Sequence, residues 1–118
     1  MTEVTTVVDG YIAMWNETDP ERRRWIIEQT WTGEASYVDP NADVAGADGL
    51  DALVAAVQAQ FPGHRFVLAA GPDVHHDRVR FTWQLVAENG DAIATGVDFA
   101  IVADDGRLRA VTGFLEAA

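Results

Sequence analysis

Val4, Val7, Val8, Tyr11 and Trp15 recur at intervals of three and four. That spacing puts side chains on one face of a helix and predicts a first helix with an apolar stripe. The polar stretch NETDP ends it. Pro20 suits a first helical position, with Asp19 as N-cap, so a second helix is predicted over about 20–31. The run EASYV reads as a short strand ending at Asp39-Pro40. A third helix is expected after Asp48, with Leu50, Leu53, Val54, Val57 and Phe61 as its buried stripe and Pro62-Gly63 as its stop. Beyond it the pattern changes to strands, over about 65–70, 74–88, 91–103 and 108–116. Asn89-Gly90 is a strong two-residue hairpin signal. Asp105-Gly106 is another, with a three-residue bulged turn as the alternative.

These turns set a register. With two-residue loops, Phe81 faces Asp98, Trp83 faces Gly96, Gly113 faces Asp98 and Val111 faces Ala100. One sheet face then holds Val79, Phe81, Trp83, Leu85, Ala94, Gly96, Asp98, Ala100, Val111, Gly113 and Leu115. Asp98 is the one acid on it. Aspartate is disfavoured in strands, and a buried unpaired carboxylate is expensive to ionise. Glycines and alanines beside it leave space. The picture is an apolar hollow holding one polar group, the common form of a small-molecule site. The opposite face carries Arg80, Thr82, Gln84, Thr95, Val97, Phe99, Ile101, Ala110, Thr112 and Phe114. It is apolar enough to pack against a second copy of the chain, so a homodimer through this outer face is expected.

Composition narrows the function classes. The 118 residues are the length of one domain, and no repeat or linker divides them. Nineteen acidic residues against eight basic ones give a net charge of −11, which argues against nucleic acid and anionic membranes as partners. Cysteine is absent, which removes disulfides, thiolate nucleophiles and cysteine-held zinc. The N-terminus lacks the pattern of a signal peptide and no run approaches a membrane span, so a cytoplasmic protein is expected. His75-His76-Asp77 invites a metal reading. Adjacent strand residues point to opposite faces, so the segment is read as a solvated strand entry and no metal or other cofactor is expected. His64 is read as a loop residue without a partner. Trp15, Trp25 and Trp31 are read as core or pocket wall.

The order helix, helix, short strand, helix, long sheet resembles the cone-shaped α+β fold named after nuclear transport factor 2. The resemblance covers nearly the whole chain, read as one domain over 1–118. It is strongest to the SnoaL-like polyketide cyclase and ketosteroid isomerase branches. Three segments carry it: GYIAMWNETD, SYVDP and GVDF, the last followed by DDGRLRAVTGF. The fold implied is three N-terminal helices packed on a strongly curved, mixed but mostly antiparallel sheet. The resemblance implies an oxyanion-hole tyrosine at Tyr11, a general base at Asp39 and a protonated acid donor at Asp98. In SnoaL-like cyclases the late-strand aspartate is instead the base, which would leave Asp98 ionised and Asp39 a lesser role.

The activity implied is a cofactor-free isomerase, cyclase or dehydratase. It would remove a proton next to the carbonyl of a small apolar ligand and stabilise the resulting enolate. Trp15, Phe81, Trp83, Val111 and Gly113 are the expected substrate contacts, with Phe81 and Trp83 stacking on a flat substrate. Plainer readings stand beside these: Asp39 as a turn cap, Tyr11 as a core residue, and the domain as a binding or association module without turnover.

Overall fold

The computed structural model describes residues 4–116. Helices α1 (Val4–Asn16), α2 (Pro20–Thr30) and α3 (Gly46–Gln60) pack on one six-stranded sheet. Its strands are β1 (Trp31–Asp39), β2 (Ala42–Ala45), β3 (Arg65–His75), β4 (Arg78–Val86), β5 (Ala92–Val102) and β6 (Leu108–Leu115), in the order β2-β1-β6-β5-β4-β3. β1 runs parallel to β6, and every other pair is antiparallel. This is the α+β architecture that the family resemblance implies.

The register is the one the turns imply. Phe81 and Gly113 flank Asp98, Trp83 pairs with Gly96, and Val111 pairs with Ala100. The turns themselves differ from two-residue loops. At the first, Ala87 N–H bonds to Asp91 O and Gly90 N–H bonds to Ala87 O, with Gly90 at φ 92°. The loop is therefore a three-residue turn with glycine in the left-handed region. A bulge then restores the count, because Val86 pairs with Ala92 but Leu85 pairs with Ala94. The Asp104–Gly106 turn repeats the device, with Arg109 as the extra residue.

Five sequence-based expectations are corrected. β2 was not anticipated: Asn41 N–H bonds to Asp39 Oδ1 at 2.8 Å and turns the chain back so that β2 pairs with β1. β1 begins at Trp31, not at Glu34. The predicted strand over 74–88 contains a hairpin, since β3 runs on to His75 and turns at His76-Asp77. His76 takes φ 50°, and a turn without glycine or proline carries no obvious signature. Trp25 is 61% exposed and is neither core nor pocket wall. His64 does have a partner, Pro62 O at 3.0 Å from its Nδ1.

The core lies between the helices and the inner sheet face. Val7, Val8, Tyr11, Met14 and Trp15 of α1 meet Tyr37, Val79, Phe81, Ala100 and Val111 of the sheet. The Asn16 side chain bonds both to the Phe66 N–H (2.7 Å) and to the Phe66 carbonyl (2.8 Å), pinning the end of α1 to β3. Buried Arg23 ties the helices together through Asp51 (2.7 Å), the Glu17 carbonyl (2.7 Å) and Gln58 (3.2 Å). A cation against a helix C-terminus also suits the helix dipole. Among the described residues, no helix is long and apolar enough to cross a membrane.

Candidate active site

A cavity of about 460 Å³ opens between the helices and the inner sheet face. Tyr11, Ile12 and Trp15 of α1, Leu53 and Val57 of α3, Tyr37 and Asp39 of β1, Phe66 of β3 and Trp83 of β4 line it. Its size and apolar wall with a few polar groups are those of a small-ligand site.

Asp98 lies one side chain behind the wall. It is 1% exposed and sits at mid-strand in β5. The Tyr11 hydroxyl donates to its Oδ2 at 2.5 Å. Its Oδ1 is buried with no hydrogen-bond partner. Two glycines make this packing possible. A methyl group on Gly113 would lie 2.8 Å from Asp98 Oδ1, and one on Gly96 would lie 2.2 Å from the Trp83 ring. The gap over Gly113 also brings in the other strand. The same methyl position is 3.4 Å from the Tyr37 hydroxyl and 3.4 Å from Asp39 Cβ.

Asp39 is half-buried at the end of β1, and both its oxygens are engaged. Tyr37 donates to Oδ2 at 2.6 Å and the Asn41 N–H to Oδ1. The plain reading of Asp39 as a turn cap is therefore satisfied, while its side chain also lines the cavity.

Burial pushes Asp98 up to about 6. The Tyr11 hydroxyl opposes that rise, as does the Trp83 indole, which stays outside hydrogen-bonding geometry with Asp98, and the nearby Asp39 charge adds to it. Tyr11 is held well above the ordinary phenol value, by burial first and then by the Asp98 charge. Tyr37 is raised as well, by burial and by its bond to Asp39. Both phenols therefore remain protonated donors at neutral pH.

Of the residues singled out from sequence, Tyr11, Trp15, Asp39 and Trp83 line the cavity. Phe81 and Val111, at 2% and 1% exposure, and buried Gly113 do not form its wall. Phe81 packs edge-on against Tyr11, with ring centroids 5.3 Å apart, so it supports the tyrosine and has no face free for a ligand. Tyr37 was missed. It stands two residues before Asp39 on one strand, and period-two alternation would have placed both on one face. Phe66, Leu53 and Val57 carried only a core signal. Among the described residues, no group of three or more His, Asp or Glu is placed to hold a metal ion.

Comparison with known structures identifies the family. A candidate isomerase of the SnoaL-like family from Agrobacterium tumefaciens is 42% identical over 99% of this chain and 100% of its own, with a TM-score of 0.92. The chain belongs to the SnoaL-like family. Two more distant structures share the fold. One is a candidate SnoaL-like polyketide cyclase from Jannaschia, 19% identical over 98% of this chain and 90% of its own, at TM-score 0.71. The other is an NTF2-like protein of unknown function from Exiguobacterium, 18% identical over 95% and 99%, at TM-score 0.73. No family sequence model and no curated protein matches the chain. In this SnoaL-like protein, Tyr11–Asp98 and Tyr37–Asp39 are two hydrogen-bonded pairs, and Asp98, Tyr37 and Asp39 border one gap over Gly113.

Proposed function

We propose that this SnoaL-like protein removes a proton next to the carbonyl of a small apolar substrate, as a cofactor-free isomerase, cyclase or dehydratase. The observation that carries the reading is that Tyr11 and Asp39 open onto one apolar cavity while Asp98 is bonded directly behind Tyr11. Asp39 is the base and takes the carbon-bound proton. The electron pair left behind moves onto the carbonyl oxygen, which Tyr11 receives.

Asp98 acts through Tyr11 as a positioning residue. When Asp98 is ionised, Tyr11 spends its one proton on Oδ2. When Asp98 is protonated, the bond reverses, and Tyr11's own hydrogen is released toward the ligand oxygen. Two features favour the protonated form: burial, and the unpartnered Oδ1, which is tolerable as a neutral carbonyl and costly as a charged oxygen. The description of the Agrobacterium relative as a candidate isomerase supports this class of chemistry.

A second reading makes Asp98 the base, and its unpartnered oxygen and upward shift favour it. Hydrogen–deuterium exchange beside the carbonyl of small cyclic enones, followed by NMR, separates the two. With Asp39 as base, Asp39→Asn lowers the catalysed exchange by about 10²–10⁴-fold. Asp98→Asn then loses far less, because its amide still donates to Tyr11. The parent's rate falls as pH rises through about 6, where Asp98 loses its proton, and that fall is absent in Asp98→Asn. If Asp98→Asn is the dead variant and the parent's rate rises through that pH, Asp98 is the base. A parent that accelerates no exchange has a binding role only.

We also propose a homodimer through the outer sheet face. Val38, Phe99 and Phe114 are 40%, 40% and 62% exposed there, on the adjacent strands β1, β5 and β6. An apolar patch on the flat side of a sheet can be covered by its own copy across a two-fold axis.

A further inference from the structure

The charges of the molecule are distributed unevenly with respect to the cavity. Seven of the eight arginines stand in ion pairs with acids elsewhere on the surface or between helices. The eighth, Arg65, is exposed and does not line the cavity. No Arg or His is on the cavity wall, and the chain has no Lys. Asp39 is on that wall, and none of the ion pairs among the described residues includes Asp39 or Asp98.

Asp39's carboxylate accepts from the Tyr37 hydroxyl and the Asn41 N–H. No cationic side chain among the described residues pairs with it. Asp98, 1% exposed, turns its unpartnered Oδ1 into the same gap over Gly113 that Tyr37 and Asp39 border.

The aromatic part of the wall suits a positive charge. Tyr37, Trp15, Phe66 and Trp83 form a continuous belt of rings, with successive centroids 5.7, 5.3 and 5.3 Å apart. Aromatic faces carry negative potential, and a cation placed over them is attracted, more so where water is excluded. A carboxylate set in such a belt is the recognition chemistry of an ammonium group. The net charge of −11 adds a long-range field that draws cations in and repels acids.

We propose that the cavity selects an organic cation, a protonated amine or quaternary ammonium on an apolar body, with Asp39 as its counter-ion and the aromatic belt as its cage. This names the substrate class of the site described under the proposed function and rests on that reading. A positive group near the carbonyl would also make the neighbouring carbon-bound hydrogen more acidic, by stabilising the enolate.

The test uses the parent chain and three probes of nearly one shape, followed by tryptophan fluorescence. Benzyltrimethylammonium carries the charge, neopentylbenzene is its neutral isostere, and phenylacetate is an anion of similar size. The expected order is cation, then isostere, then anion, with the cation about tenfold or more tighter than the isostere. Asp39→Asn narrows that gap, and added salt narrows it partly. Equal binding of the isostere overturns the cation proposal and leaves the cavity reading intact, as does a preference that survives Asp39→Asn unchanged. Failure of all three probes to bind overturns both.

Discussion

Asp98 combines burial, a single hydrogen bond and a strand position, and each has a consequence for stability. Its folded value of about 6 lies above the 3.8 of an unperturbed aspartate, so the folded state holds the proton more tightly than the unfolded one. The sign follows from linkage: stability declines as pH rises from about 4 to about 6 and then levels off. The full decline is about 3 kcal/mol at most. Asp98→Asn removes the ionisation and keeps a donor for Tyr11. The variant should therefore match the parent near pH 4 and melt at higher temperature at pH 7–8, as calorimetry across that range would record. Equal melting temperatures at pH 8 would mean that the carboxylate is not held in an apolar site. A buried acid that weakens the fold at neutral pH is the pattern of a residue retained for its chemistry.

Among the elements, the site depends on three strands meeting without side chains in the way. β4 supplies Trp83 over Gly96, β5 supplies Asp98, and β6 passes beneath with Gly113. Neither glycine has a positive φ, so what matters at both is space. Gly113→Ala places its methyl 2.8 Å from Asp98 Oδ1, and the carboxylate must rotate or the strands must part. The expected result is a loss of about 1–3 kcal/mol in stability. Catalysed exchange should fall by about tenfold or more, since small misplacements of this kind are costly in rate. Denaturant unfolding and the NMR exchange assay read the two effects. A Gly113→Ala chain with full activity would show that Asp98's position does not matter.

Much at this scale was legible beforehand. The apolar spacing in α1 and α3 and the glycine turns gave the helices and the hairpins, because those are local signals with fixed periods. The register agrees with the two-residue-loop reading only because a bulge cancels the extra residue of each three-residue turn. The turn at His76-Asp77 and strand β2 were not legible. The first uses a non-glycine residue in the left-handed region, and the second depends on a side-chain bond from Asp39 and on β1 being in place.

For the whole molecule, the two faces of the sheet have opposite tasks. The inner face closes on the helices and holds the cavity. The outer face leaves Phe99 and Phe114 at 40% and 62% exposure, with Phe114 opposite Val97 on the neighbouring strand. If two copies meet there, Phe114→Glu puts like charges across the two-fold axis and should convert a dimer to a monomer in sedimentation. The exchange chemistry proposed for the cavity is on the other face and should persist at high protein concentration. A parent chain that already sediments as a monomer ends the dimer proposal.

The sequence by itself determined which segments are helices and strands, which residues share a sheet face, and that one aspartate lies among apolar neighbours. Those properties follow from periodicity and turn geometry within a few residues. The tertiary structure alone decided that Tyr11 reaches Asp98 across 87 positions, that Tyr37 joins Asp39, and that Phe81 supports the site from beneath. It also decided that no arginine answers the charge on the cavity wall. Such contacts join elements far apart in the chain. They are fixed by how helices settle on a curved sheet, and no local pattern encodes that packing.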